Sequence, residues 1–223
     1  MKKPIAILLL ALTVISCSKK TGEKTEPAIN FSNVLILGNS ITYSPKNPGI
    51  GWQGEWGMAA TKAELDFVHL LTKSFKEKNL SCTVTAKNIA AFEVNYTTYD
   101  FESELKQYKD SKPDLIILRI GENVKQETFD AVVFEKRYVE LLNYFRSNNP
   151  SVRFFGAGSF WGNAAVDQIM ARHSEFITLS PLVKDPTNAA WGIFDDPGVA
   201  SHPSDKGMKA IADVIWSAII NLK

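Results

Sequence analysis

Val34-Leu35-Ile36-Leu37 runs directly into Gly38-Asn39-Ser40-Ile41-Thr42. Four consecutive apolar residues that stop at a glycine turn read as a strand covered on both faces, the habit of a parallel sheet flanked by helices. Similar runs lie at Cys82 to Ala86, Asp114 to Ile120, Val152 to Gly156 and Phe176 to Leu179. Between them, Glu64 to Lys78 places Leu65, Val68, Leu71 and Phe75 at helical spacing, and Phe134 to Phe145 does the same with Tyr138, Leu141, Leu142 and Phe145. Ser204 can cap a final helix reaching Leu222, whose Met208, Ile211, Ile215, Ile219 and Leu222 share one face. Strands alternating with amphipathic helices predict an α/β domain around a parallel sheet.

The amino terminus has a different character. Met1-Lys2-Lys3 is followed by an apolar run, Ile5 to Ile15, interrupted only by Thr13. This is the pattern of a signal peptide and is too short for a stable membrane span. Val14-Ile15-Ser16-Cys17 resembles a bacterial lipobox, which implies that Cys17 becomes a diacylated first residue. An ordinary secretory peptide with an incidental cysteine is the alternative. Ser18 to Ala28 is rich in Lys, Glu, Thr and Gly and has little to bury. The expected organisation is therefore a lipoprotein signal peptide over 1–16, a flexible tether over 17–29 and one domain over 30–223. The expected location is exported and membrane-anchored, on the periplasmic side or outer membrane of a Gram-negative bacterium.

Composition removes several function classes. Lys and Arg total 25 against 24 Asp and Glu, a net charge of +1, and no basic stripe is visible. The electrostatic footprint of a nucleic-acid binder is absent. With Cys17 assigned to lipid, Cys82 has no partner for a disulfide and reads as a small buried residue. The 3 histidines are far apart and no HExxH or paired CxxC spacing occurs, so no metal or cofactor is expected.

Residues able to do chemistry gather where strands end. Ser40 follows the first strand in a glycine turn, the third strand leads into Gly121-Glu122-Asn123, and His202-Pro203-Ser204 precedes the last helix. In this order the three blocks resemble those of the SGNH, or GDSL-type, hydrolase superfamily. The resemblance implies a three-layer α/β/α fold with a flavodoxin-like, five-stranded parallel sheet of order 2-1-3-4-5. It also implies Ser40 as nucleophile, His202 as base and Asn123 as a side-chain donor to the oxyanion. In that strand order the first and third strands are neighbours, so Ser40 and Asn123 emerge side by side at the carboxyl edge. Glu122 is a candidate to contact substrate.

The sequence also departs from the superfamily pattern. Val124 stands where an Asp usually follows the Asn. The glycine that supplies a further oxyanion amide is replaced by Glu93, which either offers its backbone N–H or is a solvated residue at a helix start. Three residues before His202, where the acid of the triad is expected, stands Val199. Either Asp196 or Asp195 reaches back to the imidazole, Asp196 being nearer, or a backbone carbonyl orients it.

A long connection after Thr42 carries Trp52 and Trp56 among Gly49, Gly51, Gly54 and Gly57. Long loops on this edge of an α/β sheet tend to be functional. The two tryptophans either stack on a sugar of the substrate or pin the loop to the domain, and Phe160, Trp161 and Trp191 are further candidates to line the pocket. The function expected is a serine esterase acting on an O-acetyl or other short acyl ester of a carbohydrate. The alternatives are a catalytically impaired glycan-binding lipoprotein and a lysophospholipase or thioesterase.

Overall fold

The computed structural model describes residues 30–222. The expected signal peptide, the lipidation of Cys17 and the tether up to residue 29 lie outside the described residues. Five strands, β1 (Asn33–Gly38), β2 (Thr83–Asn88), β3 (Leu115–Arg119), β4 (Arg153–Ala157) and β5 (Glu175–Ile177), form one sheet in the order β2-β1-β3-β4-β5. Every pairing is parallel, and the order is the flavodoxin-like one expected.

The helices are α1 (Phe67–Lys78), α2 (Ala90–Val94), α3 (Phe101–Asp110), α4 (Ala131–Arg146), α5 (Ala164–His173), α6 (Pro197–Ala200) and α7 (Asp205–Ile219). The first begins three residues later than the periodicity suggests. Asp66 takes the N-cap, accepting from the His69 amide at 2.7 Å, and Ala63–Leu65 forms a separate 3-10 turn. Ser204 caps α7 as expected, accepting from the Gly207 amide.

Alternation along β1 explains the two helical layers. Val34 and Ile36 pack with Phe67, Leu71 and Phe75 of α1 and with Met208, Ile211 and Ile215 of α7. Leu35 and Leu37 point the other way, among Phe92 of α2, Phe134 and Tyr138 of α4 and Val166 of α5. All four β1 side chains are at most 1% exposed. Each such burial contributes about 1.5–3 kcal/mol of gross apolar transfer energy. A side chain of either period-2 set that became charged would therefore lose a whole layer's contact.

Register places the chemistry. Gly38 lies opposite Asn88 of β2 and Arg119 of β3, so the loops after these three strands leave the sheet at one level. Gly38 is required there, because a Cβ would stand 2.0 Å from the Thr42 hydroxyl oxygen and 2.8 Å from the Arg119 carbonyl oxygen. At the end of β3, Gly121 has φ +131°, a backbone region that side-chain-bearing residues avoid.

Candidate active site

The turn after β1 is wound tightly. The Thr42 and Tyr43 amides both donate to the Asn39 carbonyl, at 2.9 and 3.0 Å, and the Ile41 amide donates to the Asn39 side-chain oxygen at 3.2 Å. This leaves Ser40 at the crest. Among the described residues its amide has no acceptor, while its carbonyl receives the Met58 amide at 2.9 Å.

His202 arrives from the opposite end of the chain. Its amide donates to the Val199 carbonyl, and its carbonyl accepts from the Ala190 amide, which fixes the loop against the start of the α7 connection. The imidazole Nε2 lies 2.7 Å from the Ser40 Oγ, and Nδ1 lies 2.7 Å from the Gly198 carbonyl oxygen. A carbonyl can only accept, so the proton belongs on Nδ1 and the Nε2 lone pair faces the serine hydroxyl. Burial holds the His202 imidazolium below the usual histidine range, with the Arg119 charge adding to it and the Gly198 carbonyl, Glu122 and Val199 opposing.

The acid expected from sequence is elsewhere. Asp196 is the N-cap of α6 and accepts from the Val199 amide at 3.0 Å. The Gly198 carbonyl takes the position on Nδ1 instead, because α6 is a single turn that folds its own backbone back onto the ring. The Asp196 carboxylate is committed to the cap, and Asp195 makes no hydrogen bond to the ring.

Beneath Ser40 lies a buried polar network. Asn39 and Arg119 are fully buried and Glu93 is 1% exposed. The Asn39 Nδ2 donates to Glu93 Oε1 at 2.9 Å and to Glu122 Oε2 at 2.7 Å, while its Oδ1 accepts from Arg119. Arg119 also grips Glu122 with both terminal nitrogens, at 2.7 and 3.0 Å, and the Phe160 amide caps the second side of Glu122 at 2.7 Å. Glu93 Oε2 accepts from the backbone amide of Asn123 at 2.7 Å and from its side-chain Nδ2 at 3.2 Å. Burial and the neighbouring Glu122 carboxylate push Glu93 up to about 7, against the Asn123 amide, Arg119 and Asn39. Glu122 is held below its ordinary range despite burial, chiefly by Arg119, then by Asn39 and the Phe160 amide.

These contacts revise two expectations. Glu93 is not solvated: it is 1% exposed, its side chain turns inward onto Asn39 and Asn123, and it is not among the residues lining the cavity over Ser40. Glu122 does line the cavity, but both of its oxygens are occupied by Arg119, Asn39 and Phe160, which makes it a support for the turn. Sequence reasoning misses Arg119 altogether. The signal is present as a lone guanidinium in an apolar parallel strand, a burial that needs ionic or polar partners.

The cavity itself is about 220 Å³ and is lined by Asn39, Ser40, Ile41, Glu122, Asn123, Trp161, Ser201 and His202. Trp52 and Trp56 are absent from it. Trp52 is 2% exposed, donates its Nε1 to the Ser44 carbonyl, and packs edge-on against Trp56 and Phe194. Trp56 donates to the Ala60 carbonyl at 2.8 Å. Both pin the long loop to the chain near Ala190 and Val199, a cluster that short sequence spacing does not reveal. The tryptophan at the cavity mouth is Trp161, with its Nε1 on the Ser201 carbonyl at 3.1 Å and its ring 6.2 Å from that of Trp191.

With the strand order and the Ser40, Asn123 and His202 positions in hand, similarity in three dimensions can be placed. A two-domain esterase active on acetylated mannans, co-crystallised with mannopentaose, aligns over 84% of this chain at TM-score 0.56 and 18% identity. The chain has the fold of the SGNH hydrolases. It spans about half of that first relative, 48% of its length. A carbohydrate esterase of family 3 from Talaromyces cellulolyticus matches over 86% of this chain and 100% of its own, at TM-score 0.53 and 15% identity. The psychrotrophic esterase EstA from Pseudoalteromonas sp. matches over 84% of this chain and 96% of its own, at TM-score 0.54 and 14% identity. No protein-family model matches the sequence, and none of the curated proteins does.

Proposed function

We propose that the protein is a serine esterase that removes a short acyl group from a carbohydrate, with Ser40 as nucleophile and His202 as base. One observation carries this reading: the Ser40 hydroxyl and the His202 Nε2 are 2.7 Å apart at the floor of a cavity that Asn123 also lines. As Ser40 Oγ bonds to the acyl carbon, Nε2 takes its proton, and the Gly198 carbonyl on Nδ1 steadies the imidazolium that forms. The Ser40 amide and the second N–H of the Asn123 Nδ2 are the donors available to the oxyanion. Collapse of the tetrahedral species passes the proton to the departing sugar oxygen, and water repeats the sequence to release the acid.

Three features support a short acyl group on a sugar over a long-chain substrate. The cavity, at about 220 Å³, is smaller than the roughly 300–1,000 Å³ of pockets that enclose drug-sized ligands. At its mouth Trp161 is 44% exposed, and Trp191, 51% exposed, packs beside it, so that the two indoles offer an apolar face to a pyranose ring. Two of the structural relatives are carbohydrate esterases by description. Export and attachment through a lipid on Cys17 belong to the same reading and rest on the lipobox-like sequence.

The test is covalent. A fluorophosphonate probe is expected to label Ser40 in the wild-type protein and to leave Ser40→Ala unlabelled. Acetate release from acetylated oligosaccharides is expected, together with falling rates on p-nitrophenyl esters of increasing chain length. An unlabelled Ser40 would support a binding protein on the same scaffold, and a preference for long chains would favour the lysophospholipase or thioesterase alternative.

A further inference from the structure

We propose that the Glu93 carboxylate is the positioning residue of the oxyanion hole, aiming the Asn123 side-chain amide and, through Asn39, bracing the turn that presents the Ser40 amide. The proposal rests on the ester-hydrolase reading and goes beyond it, because the position corresponds to a glycine in the superfamily pattern and carries no side chain there.

The geometry gives the carboxylate two tasks at once. Its Oε2 receives both N–H types of Asn123, backbone at 2.7 Å and side chain at 3.2 Å. An asparagine amide rotates about a soft terminal torsion, and its two N–H bonds are fixed relative to each other. Anchoring one N–H on Glu93 therefore sets the direction of the other toward the cavity. The opposite oxygen, Oε1, receives the Asn39 Nδ2 at 2.9 Å, and the Asn39 Oδ1 in turn accepts the Ile41 amide at 3.2 Å within the Ser40 turn. One buried group thus touches the supports of both oxyanion donors, which originate on different strands, β1 and β3. A carboxylate that is 1% exposed is strongly disfavoured by desolvation unless donors converge on it. Here three N–H groups do so, one from Asn39, which precedes the candidate nucleophile, and two from Asn123, the candidate donor itself.

The side-chain chemistry makes Gln an informative replacement. Donors meet both oxygens of Glu93, so the NH₂ of a Gln opposes an N–H whichever way it turns. The experiment is a double-mutant cycle of Glu93→Gln and Asn123→Ala, read as kcat and KM on p-nitrophenyl acetate, with thermal melts to confirm folding. Glu93→Gln is expected to lower kcat by about tenfold or more, without exceeding the roughly 10²–10³ lost with an oxyanion donor itself. KM is expected to stay within about twofold, as for an interaction made chiefly in the transition state. In the Asn123→Ala background the same change is expected to cost several-fold less than in the wild type, because the part of its effect that passes through the Asn123 side-chain amide is already gone and only the bracing of the Ser40 turn remains.

Costs that multiply, a loss confined to KM, or a Glu93→Gln protein as active as wild type would each overturn the assignment. If the Gln protein does not melt cooperatively, Glu93→Asp is carried through the same cycle with the same coupling expected. Wild-type protein that neither hydrolyses the ester nor takes a fluorophosphonate label would remove the hydrolase reading itself. An active wild type with an uncoupled cycle removes only the role of Glu93.

Discussion

Asp196→Asn distinguishes two accounts of how the imidazole is held. In serine protease triads, converting the acid to its amide leaves the geometry intact and lowers kcat by about 10⁴, because the histidine takes the wrong tautomer. Here the Nδ1 proton is directed to the Gly198 carbonyl at 2.7 Å, and the Asp196 side chain accepts the Val199 amide at 3.0 Å. Asn is as good an N-cap as Asp, so α6 is expected to stay folded and its carbonyl to remain on the ring. The expected outcome is kcat/KM on p-nitrophenyl acetate within about threefold of wild type, equivalent to less than about 0.7 kcal/mol of transition-state stabilisation. Asp196→Ala is expected to behave differently, because it removes the cap. Loss of an N-cap costs about 1 kcal/mol, or about 2–4 °C in melting temperature for a domain of this size. Activity should fall with it, as the turn that carries Gly198 frays. A drop of about 10³ or more in the Asn protein, with an unchanged melt, would refute the carbonyl-held imidazole and restore an aspartate to the machinery.

Two further expectations follow from the same geometry. In ¹H NMR titrations, His202 and His69 should fall on opposite sides of the ordinary histidine value of 6.5, His202 below it through burial and His69 above it through its hydrogen bond to Asp66. The sign for His202 is that the folded state resists the proton more than the unfolded chain does. Its stabilising contribution is therefore present above pH 6.5 and lost as pH falls below that value; a His202 midpoint above 6.5 would contradict the buried placement. Trp191→Ala is expected to leave p-nitrophenyl acetate turnover unchanged while raising KM for an acetylated oligosaccharide about fivefold or more, the loss of about 1 kcal/mol of ring stacking. Equal effects on both substrates would remove Trp191 from the glycan contact.

The local patterns in this chain carried the architecture. Runs such as Val34 to Leu37 and Leu115 to Leu118 are apolar on both faces, so they identify strands of a covered parallel sheet without knowledge of their neighbours. Helical spacing located α1, α4 and α7, with errors at the ends where a stronger cap, Asp66, displaced the start. Ser40, Asn123 and His202 were singled out because three short blocks, in order along the chain, resemble those of a hydrolase superfamily, and each block on its own is a weak signal. That they share one cavity is a fact of the strand order.

What pairs with what was a matter for the tertiary structure alone. Asp196 is near His202 in sequence, yet a one-turn helix directs its carboxylate to an amide and presents a carbonyl to the ring. Trp52 and Trp56 sit in a glycine-rich loop that looks exposed, and the loop folds onto residues near Ala190 and Val199 that no local pattern links to it. In sequence Glu93 reads either as the source of a backbone amide or as a solvated residue at a helix start, and the register of β1, β2 and β3 closes Asn39, Glu122, Arg119 and Asn123 around its side chain. Periodicity reports which side of an element faces the core, because that depends on residues a few positions apart. The partner of a buried charge is set by atoms brought together across 30 or 80 positions of chain, as Glu93 with Asn123 and Arg119 with Asn39 are here, and such a pairing exists only once the sheet has formed.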